Sequence, residues 1–153
     1  MANTFSQIYI HVVFAVQGRE NLISSEWREQ LYKYITGIVT NHGQKLIAIG
    51  GVSDHIHILI GFKPNFEISK LVQEIKANSS RIINQKRLVP GKFQWQEGFG
   101  AFSYSRSQID GVVRYIRDQE KHHAKSTFKS EFIGLLNRYE IEYDEKYLFK
   151  WIE

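Results

Sequence analysis

Two histidines one residue apart, His55 and His57, stand in the run Asp54-His55-Ile56-His57-Ile58-Leu59-Ile60. Side chains two apart on a strand point the same way, so both imidazoles share one face while Ile56, Ile58 and Ile60 take the other. Imidazoles so placed can bind one divalent cation; the competing reading is a chance pair in a chain with six histidines. The alternation favours a site, because packing gives no reason for adjacent histidines on an open sheet face. A second constellation is Tyr115-Ile116-Arg117-Asp118-Gln119. Residues four apart lie one above the other on a helix, so a phenol and an amide share a side, unless Tyr115 is simply half-buried against a sheet. Together these residues supply the parts of a phosphoryl-transfer site: Tyr115 as oxygen nucleophile, His55 and His57 as ligands, and the Gln119 amide oxygen as a third ligand.

The chemistry asks for those types. A bound divalent ion offsets charge on a phosphodiester and orients it, and an attacking tyrosine stays joined to the cut strand. Because one phosphate ester replaces another, the strand can be rejoined without ATP, in keeping with the absence of a G-x-x-x-x-G-K-[ST] loop. A phenol of pKa about 10 needs activation, and no general base is evident. His122 is either an extra ligand or base, or a surface histidine near a helix end. Asp118 and Glu120 flank Gln119 and could compete for the cation, but they point about 100° to either side of it on a helix.

The elements that must position these groups follow from periodicity. Ile8, Ile10, Val12, Phe14 and Val16 alternate with Tyr9, His11, Val13 and Ala15 along a first strand. Ser24 and Ser25 begin a helix at about 25–41, Lys45 to Ile49 and His55 to Phe62 form a hairpin across Gly50 to Asp54, and a second helix follows at about 66–84. Phe93 to Tyr104 reads as one or two short strands around a loop, Ser107 begins a third helix to about His123, and a short helix at about 127–138 packs through Phe128, Phe132, Leu135 and Leu136. The tail from Ile141 to Ile152 has no clear place. The order predicts an α+β fold, a ferredoxin-like (RRM-like) antiparallel sheet with helices on one face, leaving the other free for a site.

At 153 residues the chain is expected to form one domain over 1–153, and 42% apolar with 24% charged residues is a globular balance. No apolar run is long enough to span a membrane, no signal peptide is expected, and zero cysteines exclude disulfides and thiolate metal sites. A cytoplasmic location is expected. The net charge of +4 is uneven: residues 61–125 carry twelve Lys and Arg against six Asp and Glu. With Trp95, Phe99, Phe102 and Tyr104 inside it, this stretch suits single-stranded nucleic acid or is an ordinary solvated face.

Four segments in order, Ser53-Asp54-His55-Ile56-His57, Ile68-Ser69-Lys70-Leu71-Val72-Gln73 with Lys76 beyond it, Trp95-Gln96-Glu97-Gly98-Phe99-Gly100, and Tyr115-Ile116-Arg117-Asp118-Gln119, resemble the single-tyrosine (Y1, HUH-type) transposases of the IS200/IS605 family, over nearly the whole chain. The resemblance implies that Tyr115, on a C-terminal helix, is the nucleophile, and that His55, His57 and Gln119 hold Mg2+ or Mn2+. It implies cleavage and rejoining of single-stranded DNA at transposon ends through a 5′-phosphotyrosine, with a hairpin recognised near each end. It implies a homodimer in which one subunit's tyrosine helix can complete the other's histidine site, a movement that Gly98, Gly100 and Gly111 would allow. Lys70, Lys76, Arg81, Lys86 and Arg87 are then the first candidates for DNA phosphate contacts. The alternatives are a binding-only nucleic-acid protein and a host-adopted relative that no longer mobilises its own gene. A phosphodiesterase with paired His-x-Ser/Thr motifs is excluded, since no such pair occurs.

Overall fold

The alternation of the first strand is realised in the computed structural model, which describes residues 4–123 and 127–143, as β1 (Tyr9–Ala15). β2 (Lys45–Gly51) and β3 (His55–Gly61) make the expected hairpin. Within the aromatic stretch the regular strand is β4 (Gly100–Ser103), and Trp95 adds an isolated bridge to Val16. The sheet order is β2-β3-β1-β4 with every pairing antiparallel. The crossovers are α1 (Arg28–Asn41) and α2 (Ile68–Gln85), which completes the ferredoxin-like order. The helix α1 begins at Arg28 rather than Ser25 because Ser24 Oγ accepts the Glu26 N–H at 3.2 Å within a preceding turn.

Both helices lie on the face expected of them. Leu31, Ile35 and Val39 of α1 and Leu71, Val72, Ile75 and Ile83 of α2 bury against Val12, Phe14, Ile56, Ile58 and Ile60. Trp95 belongs to this core, edge-on to Phe14 and Phe93 at ring separations of 4.7 and 4.9 Å, and Phe102 is buried on the opposite face. These two aromatics are therefore packing groups rather than platforms for bases.

The opposite face carries the histidines, and it is roofed. The helix expected from Ser107 to His123 is interrupted: a 3-10 turn (Arg106–Gln108) leads into α3 (Ile109–Arg117), Asp118 leaves helical geometry at φ −96° and ψ 24°, and α4 (Gln119–His123) follows. Thr127 caps α5 (Phe128–Arg138) by accepting the Ser130 N–H at 3.1 Å. Ile109, Val112 and Ile116 of α3 pack on Ala48 and Leu59. Phe128, Phe132, Leu135 and Leu136 of α5 pack on Val13, Ala15 and Phe102, as their spacing predicts. So β1 and β3 are covered on both faces, where antiparallel sheets commonly leave one to solvent.

A glycine lets α3 come this close to the sheet. A Cβ on Gly50 would lie 2.0 Å from the carbonyl oxygen of Ile116, so only glycine lets the last turn of α3 rest on β2. Gly50→Ala is expected to cost about 1–3 kcal/mol in urea unfolding. Gly37→Ala and Gly134→Ala, where an added Cβ meets nothing within 4 Å inside a helix, should instead gain up to about 1 kcal/mol. Equal effects at all three positions would refute the close approach.

Candidate active site

Strand register places the histidines. Val13 faces His57 and Ala15 faces His55 across β1 and β3, so both imidazoles rise between small or β-branched neighbours, fully buried under α3 and α5. Each ring is held from behind. The His55 Nδ1–H donates to Asp54 Oδ1 at 2.7 Å, and the ring stacks on Phe128 with centroids 4.3 Å apart. His57 Nδ1 lies 2.8 Å from Nε2 of His11, which sits diagonally across on β1, and His11 Nδ1 lies 3.2 Å from the Tyr104 hydroxyl. The two Nε2 atoms therefore face forward, toward the helices.

A carboxylate meets them there. Glu131 Oε1 is 3.1 Å from His57 Nε2 and 3.3 Å from His55 Nε2, and the Tyr115 hydroxyl donates to Glu131 Oε2. Gln119 also arrives, because the interruption at Asp118 turns it inward. Its Oε1 lies 3.3 Å from His55 Nε2, while its amide N–H donates to the Tyr115 carbonyl at 3.1 Å. Thus Tyr115, His55, His57 and Gln119 are brought together, and Glu131 joins them from α5. The donor atoms of His55, His57 and Glu131 lie within 4.8 Å of one another, a set able to hold a divalent ion. Imidazole with carboxylate suits Mn2+ better than Mg2+, which prefers oxygen throughout.

Charges follow the geometry. Burial disfavours charged His55, but hydrogen bonds to Asp54 and Glu131 outweigh it and raise its pKa above the usual 6.5. Burial and the neighbouring His57 hold His11 well below that value. Burial, then the Glu131 charge and its hydrogen bond, push the Tyr115 phenol up, so its resting form is protonated. In front of Tyr115 opens a cleft of about 620 Å³ between α3 and α5, lined also by Tyr104, Glu131, Arg114 and Arg138.

The residues expected to contact DNA lie away from this cleft. Lys70, Lys76, Arg81, Lys86 and Arg87 belong to α2 or the turn after it, on the far side of the sheet from the histidines. Lys76 is turned to structure: its Nζ donates to the carbonyls of Gln96 and Gly98 at 2.8 and 2.6 Å, and burial lowers its pKa to about 8. Arg81 donates to Asn78 at 2.6 Å, and Lys70 and Lys86 lie 5.9 and 6.0 Å from the ring centres of Phe66 and Tyr34. The His122 side chain lies outside the described residues, as does the tail beyond Tyr143.

Glu131 and His11 are the site residues that periodicity did not single out. The available signal for Glu131 was an acid on an apolar stripe, three residues after Phe128 and four before Leu135. For His11 it was a histidine on the polar side of a strand able to pair with β3.

Residues 4–119 match the family described as "Transposase IS200 like". The chain is 22% identical over 118 residues to the ISDra2 transposase TnpA of Deinococcus radiodurans, covering 74% of this chain and 84% of that one. A crystal structure of a protein from D. radiodurans R1, described as a transposase, superposes with a TM-score of 0.60 at 21% identity, covering 78% of this chain and 95% of the other. A REP-associated tyrosine transposase bound to a REP hairpin superposes at 0.56 with 13% identity, covering 76% and 68%. The two structures share the fold described above.

Proposed function

The chain belongs to the IS200-like transposase family, and from that premise we propose that it cleaves and rejoins single-stranded DNA by attack of Tyr115 on a phosphodiester. The observation that carries this reading is the convergence of the Tyr115 hydroxyl, the two buried Nε2 atoms and the Glu131 carboxylate at the floor of the cleft that Tyr115 and Glu131 line. In the forward step the Tyr115 oxygen bonds to phosphorus and the bond to the 3′ oxygen breaks. The 5′ side is left as a phosphotyrosine, and the 3′ oxygen leaves as a hydroxyl once protonated. Glu131 Oε2, already accepting the phenol hydrogen bond, is the group placed to take the Tyr115 proton. That transfer has to accompany attack, since burial and the same carboxylate disfavour a free phenolate. His55 and His57, with Glu131 or Gln119, would hold Mg2+ or Mn2+, which supplies Lewis-acid stabilisation of phosphate charge when bound.

Arg114 and Arg138 on the walls of the cleft are better placed than the α2 cations to meet the phosphates on either side of the reacting one. The hairpin near each element end would then extend from this side of the sheet. Tyr115 reaches histidines of its own chain, which supports a site complete within one subunit. Exchange of α3 between the subunits of a homodimer would have to break the Tyr115–Glu131 hydrogen bond and lift Ile116 from Gly50.

The test is an adduct assay with labelled single strands from the DNA flanking the gene, with Mn2+ or Mg2+, on a denaturing gel. A slow-migrating covalent band that depends on the ion supports the reading. Tight binding with no band under any ion refutes cleavage and leaves a binding protein. His57→Ala should raise the Mn2+ concentration needed for half-maximal adduct by at least about tenfold, the lower range for disturbing a metal site. An unchanged requirement would move the cation elsewhere.

A further inference from the structure

Behind the histidine pair runs a line of polar groups, buried at the histidines and reaching the cleft at Tyr104, that the proposed reaction does not use: Tyr104 hydroxyl, His11 Nδ1, His11 Nε2, His57 Nδ1, with contacts of 3.2 and 2.8 Å. His11 and His57 are fully buried and have small tilt, 25° between ring planes with centroids 5.0 Å apart. A face-to-face stack would hold no two ring atoms as near as 2.8 Å, so the rings meet end on, nitrogen to nitrogen. Each such contact needs one N–H and one lone pair. The direction of the whole line is therefore set by whichever role His57 Nε2 takes at its front end.

We propose that His11 is a positioning residue whose tautomer, together with the turn of the Tyr104 hydroxyl, determines whether His57 offers Nε2 to a cation or to Glu131. With Glu131 Oε1 at 3.1 Å, His57 Nε2 carries hydrogen and donates. Its Nδ1 then accepts from His11 Nε2–H, and His11 Nδ1 accepts from the Tyr104 hydroxyl. When the His57 Nε2 lone pair is given to a divalent ion, each role reverses: His57 Nδ1–H donates to His11, and His11 Nδ1–H donates to the Tyr104 oxygen. One proton leaves at His57 Nε2 and one is taken up at Tyr104, which lines the cleft, so the line stays neutral in both states. His55 needs no such device, because Asp54 Oδ1 accepts from its Nδ1–H throughout. A tyrosine hydroxyl can end the line in either direction because it both donates and accepts. The inference rests on the cation reading of the site but not on DNA cleavage.

The test is the nitrogen spectrum of 15N-histidine-labelled protein without and with Mg2+, which is diamagnetic. The expected result is Nε2–H on both His11 and His57 without the ion, and Nδ1–H on both with it. An ion-dependent shift at His57 with His11 unchanged would overturn the relay alone, and no ion-dependent shift at His55 or His57, together with no Mn2+ binding in the second measurement below, would overturn the cation site with it. Reversal in a protein that forms no DNA adduct would keep the relay and reject the cleavage reading. As a second measurement, Mn2+ affinity read from the spin resonance of free Mn2+ should fall about 10–100-fold in His11→Phe, the usual range for losing the partner of a ligating histidine. It should largely recover in His11→Gln, whose amide can accept from Nδ1–H. Equal affinity in His11→Phe and the unaltered protein would refute the positioning role.

Discussion

Tyr115→Phe is expected to abolish the covalent DNA adduct while single-strand affinity stays within about threefold. The substitution removes one oxygen and nothing else. That oxygen is the nucleophile in the proposed step, so no slower route through the same residue remains, and the rate should fall by the full contribution of covalent catalysis. The fold should persist, because the ring keeps its edge-on contact with His57 at 5.6 Å and α3 remains anchored by Ile109, Val112 and Ile116. The local cost is the hydrogen bond to Glu131, about 1–3 kcal/mol for a bond to a charged group, measurable by urea unfolding beside the gel. An adduct that survives in Tyr115→Phe would point to Tyr104, the other tyrosine lining the cleft. Its hydroxyl is held by His11 at 3.2 Å, and burial raises its pKa. Loss of strand binding together with the adduct would instead make Tyr115 a binding residue and refute the nucleophile assignment.

Much of this arrangement is legible along the chain because its decisive contacts follow from local periodicity. A period of two puts His55 and His57 on one side of β3 whatever that side meets. The helical stripes of α1 and α2 name the face they cover. Two things were not legible for the same physical reason, that they depend on elements distant in sequence. The helix expected to run from Ser107 to His123 breaks at Asp118. Gln119 therefore reaches His55 through a turn rather than along one helix face, and nothing in Tyr115-Ile116-Arg117-Asp118-Gln119 announces the break. Glu131 lies 74 residues from His57, so its pairing with the histidines is a property of how α5 docks. The basic surplus was legible as composition but not as location. It is concentrated partly on α2, whose inner stripe faces the sheet from the side opposite the site, while Arg114 and Arg138 line the cleft at Tyr115.

Glu131→Gln separates the two duties proposed for one side chain. Oε1 faces His55 and His57, where it would serve as a ligand, and Oε2 accepts from Tyr115. The amide keeps the shape but loses the negative charge and the ability to take a proton. If both duties are real, the Mn2+ concentration for half-maximal adduct should rise at least about tenfold. Adduct formation at saturating Mn2+ should also stay about 10²–10⁴-fold down, the range for a lost general base. Gln119→Ala should show the first effect without the second, because Gln119 approaches His55 at 3.3 Å and offers only an acceptor oxygen. The comparison decides which residue completes the cation site. A raised Mn2+ requirement in Gln119→Ala, with Glu131→Gln changed only at saturation, would leave Gln119 as the third ligand and Glu131 as the proton acceptor. Strand binding without the ion should not weaken in Glu131→Gln, since the change removes a negative charge from the side of the cleft that DNA phosphates would approach. Weaker binding there would mean that Glu131 holds the cleft open rather than serving the reaction.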